Sequence, residues 1–320
     1  MTTHVLIVDE RTLQVHLQYM FVGTGSRENV IDTIVNQNSA LPQLHHSQEN
    51  GLVEMIADGQ RVRRGDFIIF YLRQSANTEG GFYGIFRAVD DGIFLEDFSD
   101  TQYLWTDLQK SLTFRFKIEP YEVYAAGVTE WEALDVIRDI HSPHQMLWSL
   151  IYRKLKGNRG NTMVTIYEAE RLFGLIRRKN NFSALPQGNY TFVNNKITVT
   201  DNHFVYQGNT PKIDILPRLI VKYNLSKAHE AHLQAYITQE IGKRRNVSLE
   251  IAIGVIPNKL EWIGNEVSCG VGMQRIDILL SQNIDDATRE ILPIELKCVE
   301  AQPYNVHQID RKSTRLNSSH

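Results

Sequence analysis

The sequence predicts an α+β multidomain protein: a curled β-barrel over residues 1–125, a helical basic connector over 126–212 and a C-terminal α/β core over 213–309. Three observations carry this. Short apolar runs separated by turn residues crowd the first 125 positions, and from Thr129 apolar residues recur at helical spacing instead. Basic residues then concentrate between Ile151 and Asn180. Apolar strand-like segments return after Ile213. A chain of 320 residues has room for one large or two to three smaller domains, and 42% hydrophobic with 22% charged residues is the composition of a folded protein. No apolar run approaches the roughly 18 residues that cross a bilayer, so no membrane partner is expected. The start lacks the basic and small-residue pattern of a signal peptide. Two cysteines, Cys269 and Cys298, make neither a disulfide framework nor a four-ligand zinc site. A cytoplasmic location fits both.

In the first stretch, Val5 to Val8 reads as a short strand, Leu13 to Phe21 as a helix and Gly23-Thr24-Gly25 as a break. Arg64-Gly65-Asp66 is a tight-turn signature, in which Asp66 reads better as a turn residue than as a reader of a base. Phe67 to Leu72 is continuously apolar, Asn77 to Gly81 is a turn cluster, and Phe82 to Val89 and Gly92 to Leu95 follow as strands. Leu112 to Ile118 alternates large apolar with polar residues, which is the period of a strand. Closely spaced short strands of this kind suggest a small barrel or curled sheet.

In the connector, Leu134, Ile137, Leu147, Leu150, Ile151 and Leu155 keep helical spacing around a break at Ser142-Pro143. Thr165 with Glu168 three residues later is a capping box that opens a further helix through Leu172, Leu175 and Ile176. Between Ile151 and Asn180 stand Arg153, Lys154, Lys156, Arg159, Arg171, Arg177, Arg178 and Lys179 against Glu168 and Glu170, a local surplus of six positive charges. Such a run is either a solvated helix face or a surface that contacts nucleic-acid phosphates, through Arg153, Lys154, Lys156, Arg159, Arg177, Arg178 and Lys179.

In the third stretch, Ala228 to Ile241 reads as an amphipathic helix. Leu249 to Ile256, Arg275 to Leu280 and Ile291 to Cys298 read as strands, and Gln302 onward as another helix. Alternation along a strand puts Glu295 and Lys297 on one face, with Ile294, Leu296 and Cys298 on the other. Asp277 sits mid-strand between Ile276 and Ile278. Charges inside apolar strands are costly unless they serve something. Two converging carboxylates repel each other, and a divalent cation with hard oxygen ligands, Mg²⁺ or Mn²⁺, relieves that repulsion. The bland alternative is a surface ion pair of Glu295 with Lys297. His229 and His232, three apart, read as a solvated helix face rather than a metal site, with no cysteine or third histidine nearby.

Asp277 followed eighteen positions later by Glu295-Leu296-Lys297 resembles the PD-(D/E)xK nuclease signature, with Ile276 in place of its proline. The match is nearest to the NucS- and RecB-like branch, over roughly Ser226 to Ile309. Glu230, in His229-Glu230-Ala231-His232-Leu233, fits the helix glutamate of that branch, with Glu240 as the alternative. Gln308 fits its trailing glutamine. The resemblance implies a restriction-endonuclease-like α/β core that cleaves nucleic-acid phosphodiesters. Asp277, Glu295 and Glu230 would hold Mg²⁺ or Mn²⁺, and Lys297 and Gln308 would complete the catalytic set. The first stretch also has a relative. Arg64-Gly65-Asp66-Phe67-Ile68-Ile69-Phe70-Tyr71 and Gly81-Phe82-Tyr83-Gly84-Ile85-Phe86 resemble the core of an EVE-type domain of the PUA superfamily. Such a barrel is implied to hold a modified or flipped base, for which Tyr83, Tyr103 and Trp105, with Trp131 further along, offer flat faces. Plain core packing is the alternative for each.

The combined expectation is a Mg²⁺-dependent DNA endonuclease, gated by capture of a modified base, as in modification-dependent restriction. A NucS-like mismatch- or structure-specific repair nuclease is the second reading, and a non-catalytic nucleic-acid-binding protein the third. A homodimer would allow both strands to be cut. The stretch from Asp310 to His320 reads codon by codon as a translated sequencing-adapter oligonucleotide, so Arg311 to His320 are set aside and the natural protein is expected to continue differently past this point. On that reading the final helix and closing strand of the nuclease core are missing. Without Arg311, Lys312 and Arg315, the net charge moves from −3 to −6, with 31 basic against 37 acidic residues.

Overall fold

A computed structural model describes residues 1–25, 46–76, 78–96, 102–135, 141–142, 146–147, 160–268, 275–300 and 302–318. Along the chain the elements are β1 (Thr3–Val8), α1 (Glu10–Tyr19), β2 (Phe21–Thr24), α2 (His46–Gln60), β3 (Phe67–Leu72), β4 (Gly81–Ala88) and β5 (Phe94–Leu95). They continue with α3 (Trp105–Leu108), β6 (Phe114–Pro120), β7 (Val128–Thr129), α4 (Glu130–Asp135), β8 (Asn161–Val164), α5 (Ile166–Lys179), β9 (Asn189–Val193) and β10 (Lys196–Thr200). The last are α6 (Leu216–Asn224), α7 (Glu230–Glu240), α8 (Val247–Ile253), β11 (Leu260–Ser268), β12 (Arg275–Asn283), β13 (Arg289–Ile294) and α9 (Pro303–Ser318). The chain divides into two compact units, Met1–Glu28 with Val62–Lys212 and Asn29–Arg61 with Ile213–His320. The second unit is therefore discontinuous: it takes α2 from between β2 and β3.

The first unit is an eight-stranded curled sheet in the order β2-β6-β4-β3-β1-β8, with β5 added at β6 and β7 at β4. β1 and β3 are parallel and the other pairs antiparallel. The apolar run Phe67–Leu72 makes β3 an interior strand, and a register shift between Ile68 and Phe70 bends its pairing with β4. The turn at Arg64-Gly65-Asp66 carries a left-handed Gly65 at φ +87°, and Asp66 is buried beneath it. The Asp66 carboxylate accepts from the Thr2 and Arg63 amides at 3.0 and 2.9 Å and meets His4 Nε2 at 3.1 Å. Asp66 is thus a structural turn residue. α5 lays Leu172, Leu175 and Ile176 on a core that includes Val5, Ile69, Phe82 and Val128.

Residues 126–212 belong to the first unit rather than standing as a separate segment. Among the described residues they contain one long helix, α5, together with three strands and the short β7. Alternation explains β9 and β10: Tyr190, Phe192 and Ile197 turn inward. Asn194 and Asn195, both left-handed at φ +52° and +59°, make the two-residue turn between them, a conformation asparagine tolerates well. The helical periodicity expected up to Leu155 falls mostly outside the described residues, with Glu130–Asp135 helical at its start.

In the second unit β11, β12 and β13 form an antiparallel sheet in that order. Ile263, Ile278, Leu280 and Leu296 pack with Ile237 of α7 and Ile241 just past its end. The strand expected at Leu249 to Ile256 is instead α8. Its Asn246 cap accepts from the Leu249 amide at 3.0 Å and Gly254 closes it at φ +84°, so local capping overrides a short β-branched run. β11 is a strand that the apolar pattern did not single out. α9 continues through the positions read as adapter.

α6 is inverted relative to the usual amphipathic helix. Arg218 and Lys222, one turn apart, are buried, while Ile220, Val221 and Tyr223 are exposed. Both basic groups meet Glu49 of α2, which is 3% exposed. Glu49 Oε1 accepts from Arg218 Nε at 2.9 Å and lies 2.9 Å from His232 Nε2, and Oε2 accepts from Lys222 Nζ at 2.5 Å. Burial alone would raise the Glu49 carboxyl, but the hydrogen bonds from His232, Lys222 and Arg218 hold it well below the usual carboxylate range. His232 is fully buried, a correction to its reading as a solvated helix residue.

Candidate functional site

The register of β12 with β13 sets Ile278 opposite Ile294, so one step further Asp277 stands opposite Glu295, the first residue past β13. Asp277 Oδ2 accepts from the Leu296 amide at 2.6 Å. Glu295 Oε1 accepts from Gln308 Nε2 of α9 at 3.1 Å and lies 3.5 Å from Lys297 Nζ. The structure therefore gathers Asp277, Glu295, Lys297 and Gln308. Burial pushes the Asp277 carboxyl up to about 6; the charges of Glu295 and Glu266 act the same way, against the Leu296 amide and Lys312.

Glu230 does not join them. It is the exposed first residue of α7, and no group of three His, Cys, Asp or Glu among the described residues could hold a metal ion. Glu240 stands at the far end of the same helix. The α7 residue that reaches the site is Gln234, one turn beyond Glu230: its Nε2 donates to the Asp277 carbonyl at 2.7 Å and lies 3.4 Å from Glu266 Oε1. The i, i+4 spacing from Glu230 was the available sequence signal, since both positions share a helix face.

Asp277 and Glu295 bring two carboxylates near each other, and the charge of Glu295 adds to burial in raising the Asp277 carboxyl. A cation already stands against Glu295: Lys312 Nζ lies 2.8 and 2.6 Å from its two oxygens and 2.5 Å from the Arg275 carbonyl. Lys312 belongs to the stretch read as adapter, and no role is assigned to it.

The first unit has a cavity of about 570 Å³, lined among others by Gln74, Ser75, Tyr83, Lys179, Asn195 and Lys196. That volume lies within the range of small-ligand sites. Tyr83 packs edge-on to Phe192 at 5.2 Å and donates to the Asn195 carbonyl at 3.3 Å. Burial, then the charges of Glu132, Glu79 and Glu10, pushes its hydroxyl up to about 12. Gly127 permits this placement, because a Cβ there would lie 2.5 Å from the Tyr83 ring. Tyr83 contributes only a small exposed part of its ring to this cavity, being 6% exposed.

Tyr103 lies apart from that cavity, packed on Tyr19 and Tyr206 at 6.2 and 5.1 Å. Trp105 opens the one-turn helix α3, and Trp131 is exposed. Of the basic residues, Arg177 pairs with Glu122 at 2.7 Å and Lys179 with Glu132 at 2.6 Å, while Arg178 is exposed with its Nε on the Gly174 carbonyl at 3.3 Å. Arg153, Lys154, Lys156 and Arg159 lie outside the described residues.

No protein-family model and no curated protein matches the chain. Among solved structures it is similar to a hypothetical protein from Leishmania major, at 12% identity and a TM-score of 0.35 over 56% of this chain and 96% of that one. It is also similar to human THYN1, solved in complex with DNA containing 5-methylcytosine, at 8% identity and a TM-score of 0.31 over 55% and 96%. A protein from Pseudomonas putida is similar at 10% identity and 0.31, over 54% and 98%. Among the described residues, no helix is long and apolar enough to cross a membrane.

Proposed function

We propose that this protein is a metal-dependent DNA endonuclease of the PD-(D/E)xK kind, whose first unit is an EVE/PUA-like reader of a flipped base. The observation that carries the reading is the convergence of Asp277 and Glu295 with Lys297 and Gln308, four residues that the signature singles out. Asp277 and Glu295 would hold Mg²⁺ or Mn²⁺. Such an ion, when bound, stabilises charge on a phosphodiester and lowers the pKa of bound water. Gln308 fixes the orientation of Glu295, and the Leu296 amide fixes that of Asp277. Lys297, a quarter exposed, is free to turn its ammonium toward the attacking water or the developing phosphorane charge. In the first unit, Tyr83 would stack a base against the amides of Gln74 and Asn195.

Duplexes with modified, unmodified and mismatched bases, incubated with the protein in Mg²⁺, Mn²⁺ or chelator, test this reading. Cleavage is expected to need the metal and a modified base, and to fall about 10²- to 10³-fold in Asp277→Ala and Lys297→Ala with DNA binding retained. Cutting that ignores modification but requires a mismatch would move the function to repair. Cleavage indifferent to both substitutions, or absent in every condition while binding persists, would leave a binding protein.

A further inference from the structure

The ladder between β11 and β12 is interrupted beside Asp277. Asn265 pairs with Ile278 and Val267 with Ile276, and between them Glu266 takes a left-handed φ of +51°, rare for a residue with a side chain. The Asp277 carbonyl is instead held by Gln234 of α7. Two residues before Gln234, and so about 200° around the helix, His232 is held by Glu49 of α2 at 2.9 Å. Glu49 is itself fixed by Arg218 and Lys222 of α6. α7 is thus gripped on one side by a buried ion cluster and reaches β12 from its other side.

We propose that α7 acts as a brace: Glu49 holds it at His232 so that Gln234 fixes the Asp277 segment of β12, which makes Gln234, His232 and Glu49 positioning residues for the Asp277–Glu295 site. The catalytic part of this proposal rests on the nuclease reading. The mechanical part does not.

The test uses the full chain with Gln234→Met, His232→Leu and the double variant. Methionine keeps the length of glutamine without its donor. Leucine removes the bond to α7 while Glu49 keeps Arg218 and Lys222. Each single variant is expected to lower kcat for Mg²⁺-dependent cleavage about tenfold with KM for DNA within about twofold, the loss of one well-placed hydrogen bond. Mn²⁺ affinity, read by electron paramagnetic resonance, falls with it. The double variant is expected to be no worse than the poorer single one, because both act through the same contact. Hydrogen exchange reads the brace without catalysis, and amides of Ile276 to Leu279 should exchange faster in each variant. Unchanged exchange in β12, or effects on kcat that multiply, would overturn the brace. Faster exchange in β12 together with cleavage that survives Asp277→Ala would retain the brace and discard the nuclease reading. A variant that fails to fold is replaced by Gln234→Ala or His232→Gln, judged on the same exchange measurement.

Discussion

His16 shows how much a single buried side chain can commit a fold to a pH range. It lies on the inner face of α1, fully buried, stacked on Phe70 at 5.7 Å and edge-on to Phe21 at 5.0 Å, and its Nε2 accepts from the Gly23 amide at 3.1 Å. Burial first, and then the positive charge of Arg115, pushes its pKa down to about 3, so the folded chain keeps it neutral. The unfolded chain takes up a proton there as pH falls through about 6.5. The native state binds fewer protons, so the contribution is complete above pH 6.5 and is lost on acidification toward 3. Between pH 6.5 and 4.5 that loss is about 2 kcal/mol. Thermal unfolding of wild type should therefore fall more steeply over this interval than that of His16→Gln. Parallel slopes would refute the assignment. Its neighbours Leu13 and Leu17 revealed the helix face, but nothing local distinguishes a buried neutral histidine from an exposed one.

Elements whose signals are local came through from sequence. The Thr165 capping box is present in both halves, the Glu168 amide donating to Thr165 Oγ1 at 3.2 Å and the Thr165 amide to Glu168 Oε2 at 2.9 Å. Thr165→Ala should cost about 1 kcal/mol and Thr165→Ser much less, as read by denaturant midpoints. Equal stability of all three would show that α5 is held by Leu172 and Ile176 alone. At α8, Leu249 to Ile253 is equally apolar in either period over so few residues, so periodicity does not separate helix from strand there. The Asn246 and Gly254 caps were the better signal. The β9–β10 hairpin was passed over because its turn is Asn-Asn rather than the more familiar Asn-Gly, although both residues satisfy the same left-handed geometry.

At the scale of the whole molecule the main finding is that the second unit is completed by α2. Without α2, Arg218 and Lys222 lose the carboxylate that pairs them, and breaking a buried pair costs about 3–5 kcal/mol. A fragment covering 213–318 is therefore expected to be unfolded by circular dichroism. The same fragment with residues 46–61 fused through a flexible linker should recover helical signal and a cooperative transition. A cooperatively folded 213–318 fragment would show that α2 is dispensable. Because α2 is spliced between β2 and β3, the chain passes between the two units more than once.

The sequence by itself marked five strands of the curled sheet, β1 and β3 to β6, and the capped helix after Thr165, because their signals are local, while β2, β7 and β8 were not legible in it. Asp277, Glu295, Lys297 and Gln308 were singled out by resemblance to a signature, and the structure brings them near one another. Gln308 is thirteen residues after Glu295, and Asp277 is eighteen before it, on the neighbouring strand of one hairpin. What only the tertiary structure decided are contacts between distant positions. His232 meets Glu49 across 183 residues of chain, Tyr83 meets Asn195 across 112, and the Asp277 carbonyl is served by Gln234 rather than the site by Glu230. Periodicity tells which face of an element is apolar. Only the packed chain determines which charge is brought to bury another.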